Sequence, residues 1–101
     1  MYKTVMMFEL EQTMKKENVK IIDVREIDEF SEGHIPNAIH VPMSDFVNNL
    51  KKLNKKEAYY VVCYSGARSQ AASQFLSKQG YDVTNVLGGM STYRGDLSDE
   101  V

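Results

Sequence analysis

The stretch from Ala58 to about Gln79 constrains this chain more than any other. Ala58-Tyr59-Tyr60-Val61-Val62 is an apolar run of β-favouring residues that ends in Cys63, the only cysteine. Tyr64-Ser65-Gly66-Ala67-Arg68 follows at once, and then the period changes. Ala71, Ala72, Phe75 and Leu76 fall on one face of a helix, with Gly80 as its natural stop. A strand that enters a helix after so short a turn lays that helix back over its own sheet, so the next strand runs parallel to it.

The rest of the chain repeats this alternation. Val19 to Val24 is mostly apolar, as a strand covered on both faces should be. Val83 to Leu87 is a further strand, broken by Gly88-Gly89, and Ala38 to Val41 is a short one ended by Pro42. Met7, Phe8, Leu10 and Met14 predict a helix to Lys16. Before it, Tyr2 to Thr4 suits a short strand and Thr4 also suits a helix N-cap, so the boundary stays open. Glu26 to Glu32 predicts one or two helical turns around Ile27 and Phe30, stopped by Gly33, and Ile35-Pro36-Asn37 predicts a turn. Phe46, Leu50 and Leu53 predict a helix opening at Met43 or Ser44, and Met90 to Tyr93 a helical turn. From Gly95 the tail is polar and is expected to fray. This order predicts an α/β fold with a mostly parallel, five-stranded sheet and helices on both faces, in one domain over residues 1–101. Such sheets bind ligands beyond the carboxyl ends of their strands, where Cys63 lies.

Composition narrows the function. Twelve basic and 14 acidic residues give a net charge of −2, and cutting after Glu57 leaves −1 on each side. No basic half is hidden, which argues against a general nucleic-acid binder. Lys51, Lys52, Lys55 and Lys56 suit a solvated helix end, where the dipole favours cations. One cysteine excludes an intrachain disulfide and any zinc site of several cysteines, and His34 and His40 lack a ligand cluster around them, so no metal site is expected. No apolar run approaches a membrane span, and Glu9 and Glu11 interrupt what would be a signal sequence. These features predict a cytoplasmic chain whose thiol stays reduced.

The chemistry concentrates at Cys63. Gly66 permits a tight curl that aims successive N–H groups inward, and the following helix adds its dipole. Arg68 adds a charge at the rim or braces the loop. Such surroundings lower a thiol pKa, giving a nucleophilic thiolate held among N–H donors and suited to an anionic substrate. Asp23 ends a buried strand beside the same cleft. Its carboxylate needs a partner, and Arg25 and Arg68 both qualify.

Three stretches together resemble the single-domain rhodanese (thiosulfate sulfurtransferase) family. They are Ile22-Asp23-Val24-Arg25-Glu26 with Phe30-x-x-Gly33-His34-Ile35-Pro36-Asn37-Ala38-Ile39, then Val62-Cys63-x-Ser65-Gly66-x-Arg68-Ser69 with Ala72, then Gly80-Tyr81-x-Val83 with Val86-x-Gly88-Gly89-Met90-x-x-Tyr93. Tyr93 stands where the family often has tryptophan, a change expected to alter packing and not chemistry. The resemblance implies a rhodanese-like sheet and a thiosulfate sulfurtransferase. Cys63 would take a sulfane sulfur from thiosulfate or another small anionic donor, hold it as a persulfide and pass it to cyanide or a thiol. Tyr64, Ser65, Gly66, Ala67 and Arg68, with Ser69, would cradle it. Asp23 and Arg25 would shape the site, His34 would hold a structural turn, and Gly88 and Gly89 would allow close approach to the loop. No cofactor, nucleic acid or membrane is implied.

Two other readings use the same residues. One is a sulfur-carrier or regulatory module that acts through a protein acceptor. The other is a rhodanese-fold cysteine phosphatase or arsenate reductase. The phosphatase pattern places five residues between Cys and Arg, whereas Cys63 and Arg68 are separated by four, and no second cysteine is present to resolve an arsenate intermediate.

Overall fold

The computed structural model describes residues 1–101. Five strands, β1 (Lys3–Met6), β2 (Lys20–Asp23), β3 (Ile39–His40), β4 (Ala58–Val62) and β5 (Asp82–Leu87), form one sheet in the order β1-β5-β4-β2-β3. Every neighbouring pair is parallel. Three α-helices lie between strands, α1 (Met7–Met14), α2 (Ile27–Glu32) and α3 (Ala67–Lys78), and a fourth, α4 (Gly89–Thr92), follows β5. None is long and apolar enough to cross a membrane.

Strand β4 lies at the centre, with Val61 opposite Ile22 of β2 and Asn85 of β5. Alternate side chains leave opposite faces of the sheet. Ile22, Tyr59, Val61, Cys63 and Val83 therefore pack with Ala72 and Leu76 of α3 on one side. Ile21, Val62 and Val86 pack with Met7 and Leu10 of α1 on the other. Burial of a side chain such as Leu76 stabilises the fold by about 1.5–3 kcal/mol, and this two-sided burial explains why the strands read as continuous apolar runs.

Four local expectations change. The first strand extends to Met6, because its residues pair with β5 from Lys3↔Thr84 to Met6↔Leu87. Helix α1 therefore starts at Met7, and Glu9 accepts the Met6 N–H at 2.8 Å; Thr4 is not its cap. The α-helix expected from Met43 or Ser44 is instead two 3-10 segments, Met43–Asp45 and Val47–Lys52. The Asn49 side chain donates to the Asp45 carbonyl at 2.7 Å, the acceptor its own backbone N–H would use in an α-helix. That N–H reaches Phe46 O instead, at 3.1 Å, although Phe46, Leu50 and Leu53 still pack on the α3 side of the sheet. The third strand contracts to Ile39–His40. The tail is pinned: His34 N–H donates to Ser98 O at 2.9 Å and Ser98 N–H returns to His34 O at 2.8 Å.

Candidate functional site

Strand β4 delivers Cys63 to the carboxyl edge of the sheet, and Gly66 turns the chain into α3. Gly66 takes φ 117°, and a methyl group there would lie 3.2 Å from the Leu87 Cα. Glycine both permits this backbone and fits against β5. The turn brings the Gly66 N–H to 3.0 Å and the Ser69 N–H to 3.3 Å from the Cys63 sulfur, to which both donate. The Ser69 hydroxyl lies 3.4 Å from the sulfur. Cys63 itself is buried. Burial pushes its pKa up, but the Ser69 side chain and the N–H groups of Ser69, Gly66 and Ser65 outweigh it and hold the thiol below its ordinary value.

The opposite side of the loop shows why its N–H groups face the sulfur. Its carbonyls are engaged by the segment after β5. Met90 N–H donates to Cys63 O at 2.8 Å, Ser91 N–H to Tyr64 O at 2.8 Å, and Gly88 N–H to Ser65 O at 3.0 Å. With three successive carbonyls fixed outward, the peptide planes can turn their N–H groups inward. Gly89 makes the contact possible: its φ is 48°, and any side chain there would collide with the Cys63 carbonyl oxygen.

Two arginines frame this cradle, each held by a carboxylate. Arg25 grips Asp23, with Nε 3.1 Å from Oδ1 and Nη2 2.9 Å from Oδ2, and Nη2 also donates to Gly33 O at 2.8 Å. Asp23 is fully buried, and its partner is thus Arg25 and not Arg68. Arg68 instead makes a two-pronged pair with Glu29 of α2, at 2.6 and 2.9 Å. This pair holds the Glu29 carboxyl well down, at about 2, despite some opposing burial. Bidentate geometry of this kind fixes orientation as well as charge, so Arg68 ties the start of α3 to α2.

Ser65, Gly66 and Ser69 thus come together around the Cys63 sulfur, Gly88 and Gly89 back the loop from its carbonyl side, and the Tyr64 and Ala67 side chains are exposed. Arg25 and Tyr64 line a neighbouring cleft of about 300 Å³. His34 stands apart from this group. Its ring stacks on Phe30 with centroids 3.6 Å apart, and its Nδ1 bonds Phe30 O at 2.8 Å; His40 stacks on the same Phe30 ring at 4.2 Å. Glu29 is the residue that sequence reading misses. Its signal is weak: one acid among Glu26, Asp28 and Glu32, set apart only by lying three residues after Glu26, whose backbone N–H it accepts at 3.1 Å. Met90 packs against the α1-side core and also lines the cleft.

A family model described as a rhodanese-like domain matches residues 7–96. The chain is 39% identical over 80 residues to YrkF of Bacillus subtilis, named as a proposed sulfur carrier protein; the match covers 78% of this chain and only 43% of that protein. It is 36% identical over 95 residues to the thiosulfate sulfurtransferase GlpE of Coxiella burnetii, covering 93% of this chain and 89% of that one. The crystal structure of a rhodanese-like domain protein from Staphylococcus aureus superimposes with a TM-score of 0.89 at 38% identity, over 98% of this chain and 99% of the other.

Proposed function

As the chain belongs to the rhodanese-like domain family, we propose that it is a sulfurtransferase that carries sulfane sulfur as a persulfide on Cys63. Sulfur transfer is the activity of relatives that match nearly the whole chain. The observation that carries the reading here is the Cys63 sulfur lying under the N–H groups of Gly66 and Ser69 at 3.0 and 3.3 Å.

In the first half-reaction the Cys63 thiolate attacks the outer sulfur of the donor. With thiosulfate, the donor S–S bond breaks, sulfite leaves with the electron pair, and Cys63–S–S⁻ forms. The terminal sulfur carries the negative charge, and inward N–H groups stabilise it as they stabilise an oxyanion. In the second half-reaction cyanide or an acceptor thiolate attacks that terminal sulfur. Thiocyanate or a new persulfide departs, and the Cys63 thiolate returns. Two easier displacements replace one difficult transfer. Arg68 holds the loop in register through Glu29, and the Asp23–Arg25 pair shapes the wall of the cleft beside it.

The test is intact mass after incubation with thiosulfate. The expected result is a gain of about 32 Da, one sulfur atom, that cyanide removes and that Cys63→Ser abolishes. Protein that forms no adduct but hydrolyses p-nitrophenyl phosphate efficiently would establish the phosphatase reading in its place.

A further inference from the structure

The cleft beside the loop has an unusual charge balance. The charged groups on its wall are Arg25, Glu29 and Glu32, set among the apolar surfaces of Tyr64, Met90 and Leu97. Arg25 is already committed to Asp23 and to the Gly33 carbonyl. Glu29 is committed to Arg68, which is the loop's only cation. Glu32 is exposed and makes no ion pair. Each arginine is thus cancelled by a carboxylate, and one unpaired negative charge remains at the mouth.

The cleft adjoins the Cys63 loop through Tyr64 and through Met90, whose N–H bonds the Cys63 carbonyl, and a dianionic ligand entering it meets no free cation and one repelling carboxylate. A thiolate on an uncharged carbon frame carries one charge instead of two, a cationic group beside the sulfur offsets even that, and both find apolar surface for their carbon atoms. Resting on the sulfurtransferase reading, we propose that Glu32 and the Arg68–Glu29 pair make this site selective for sulfur carried on organic thiols that are neutral or positively charged near the sulfur, and against small anions such as thiosulfate. The transfer is an exchange at sulfur. The acceptor thiolate attacks the terminal sulfur of Cys63–S–S⁻, the bond to Cys63 breaks, and the acceptor leaves as its own persulfide. Donation is the reverse displacement, so one selectivity governs both directions. Thiosulfate then serves as a slow loading reagent.

Two measurements test this. The first needs no sulfur transfer: alkylation of Cys63 by neutral iodoacetamide and by anionic iodoacetate, each relative to a small model thiol. The iodoacetate-to-iodoacetamide rate ratio should be about threefold or more lower at Cys63 than at the model thiol at low salt, and should recover as salt screens the mouth. Glu32→Lys should raise the iodoacetate rate several-fold and leave iodoacetamide within about twofold. The second measures discharge of the Cys63 persulfide by cysteamine, 2-mercaptoethanol and mercaptoacetate, corrected for thiolate fraction. Cysteamine should be fastest and mercaptoacetate slowest, with Glu32→Lys reversing that order. A ratio equal to that of the model thiol, or one that Glu32→Lys does not move, overturns the proposed selectivity. Failure of thiosulfate and of organic persulfide donors alike to add sulfur overturns the sulfurtransferase reading instead, whatever the alkylation ratio.

Discussion

Gly89→Ala is the substitution with the most readable outcome. A methyl group at Gly89 would overlap the Cys63 carbonyl oxygen and lie 2.8 Å from that of Tyr64. Alanine at φ 48° also carries the left-handed penalty of about 1–2 kcal/mol. Two of the bonds across this contact, Met90 N–H to Cys63 O and Ser91 N–H to Tyr64 O, must lengthen to relieve the overlap, and each is worth about 1 kcal/mol net. The expected loss of stability is therefore about 2–4 kcal/mol. Restoring ordinary carbon–oxygen contact moves the loop by about 1 Å, a displacement that costs on the order of 10²-fold in rate when it misplaces reacting groups. Urea unfolding gives the first quantity. Thiosulfate:cyanide turnover, measured well below the unfolding midpoint, gives the second. Alkylation against pH supplies an internal control, since a displaced loop should also let the Cys63 pKa rise. Turnover within about threefold of the parent protein would refute the idea that α4 positions the loop for chemistry.

The Cys63 thiol should titrate below its ordinary value in a pH series of iodoacetamide alkylation. Because the folded pKa is the lower one, the thiolate contributes stability that is fully present above the unfolded thiol's pKa and is lost as pH falls through the folded value; an apparent value at or above that of a model thiol contradicts this. Glu29 is held at about 2 against 4.5, so the Arg68 pair should strengthen the fold fully above about pH 4.5 and lose its effect as pH falls toward 2. Glu29→Gln should flatten acid unfolding curves in that window, and equal pH dependence in variant and parent would remove the pair as the cause. Arg68→Lys keeps the charge but loses the two-pronged fork, so turnover should fall by more than about twofold; near-parental turnover would reduce Arg68 to a diffuse field. One residue inserted between Ala67 and Arg68 should collapse persulfide formation while circular dichroism stays native, and an insertion variant that still gains sulfur at the parental rate would show that the loop's length is not what tunes it.

What the sequence makes legible follows the range of the interactions. Strand β4, Cys63, the Gly66 turn and α3 are contiguous, and their alternation of periods reads directly. The placement of Gly88 and Gly89 against the loop is local in pattern, though their partners lie over twenty residues away, and family resemblance supplies that link. The Arg68–Glu29 pair joins residues 39 apart in sequence with no periodicity to mark it. The rival partners of Asp23 are equally plausible by charge, and only the fold puts Arg25 across its carboxylate. The 3-10 geometry near Asn49 turns on one side chain capturing one carbonyl, a competition that apolar spacing does not register. The tail reads as polar and free because its anchor is a two-residue backbone bridge to His34, which leaves no signature in residue type.

The grip of Gly88, Met90 and Ser91 on the carbonyls of Ser65, Cys63 and Tyr64 has a consequence for the order of synthesis. Ribosomes add about 5–20 residues each second and domains fold as units, so Cys63 exists for some seconds before the segment that orders its loop has been made. Nascent chains halted before Asp82 should alkylate at Cys63 like an ordinary thiol, and chains carrying the segment through Thr92 free of the ribosome should show the activated rate. During that interval β4 also lacks β5 along one edge. The reactive form of the sulfur is a property of the completed molecule: a chain that has not finished folding, or one that has begun to unfold, carries a thiol of ordinary basicity.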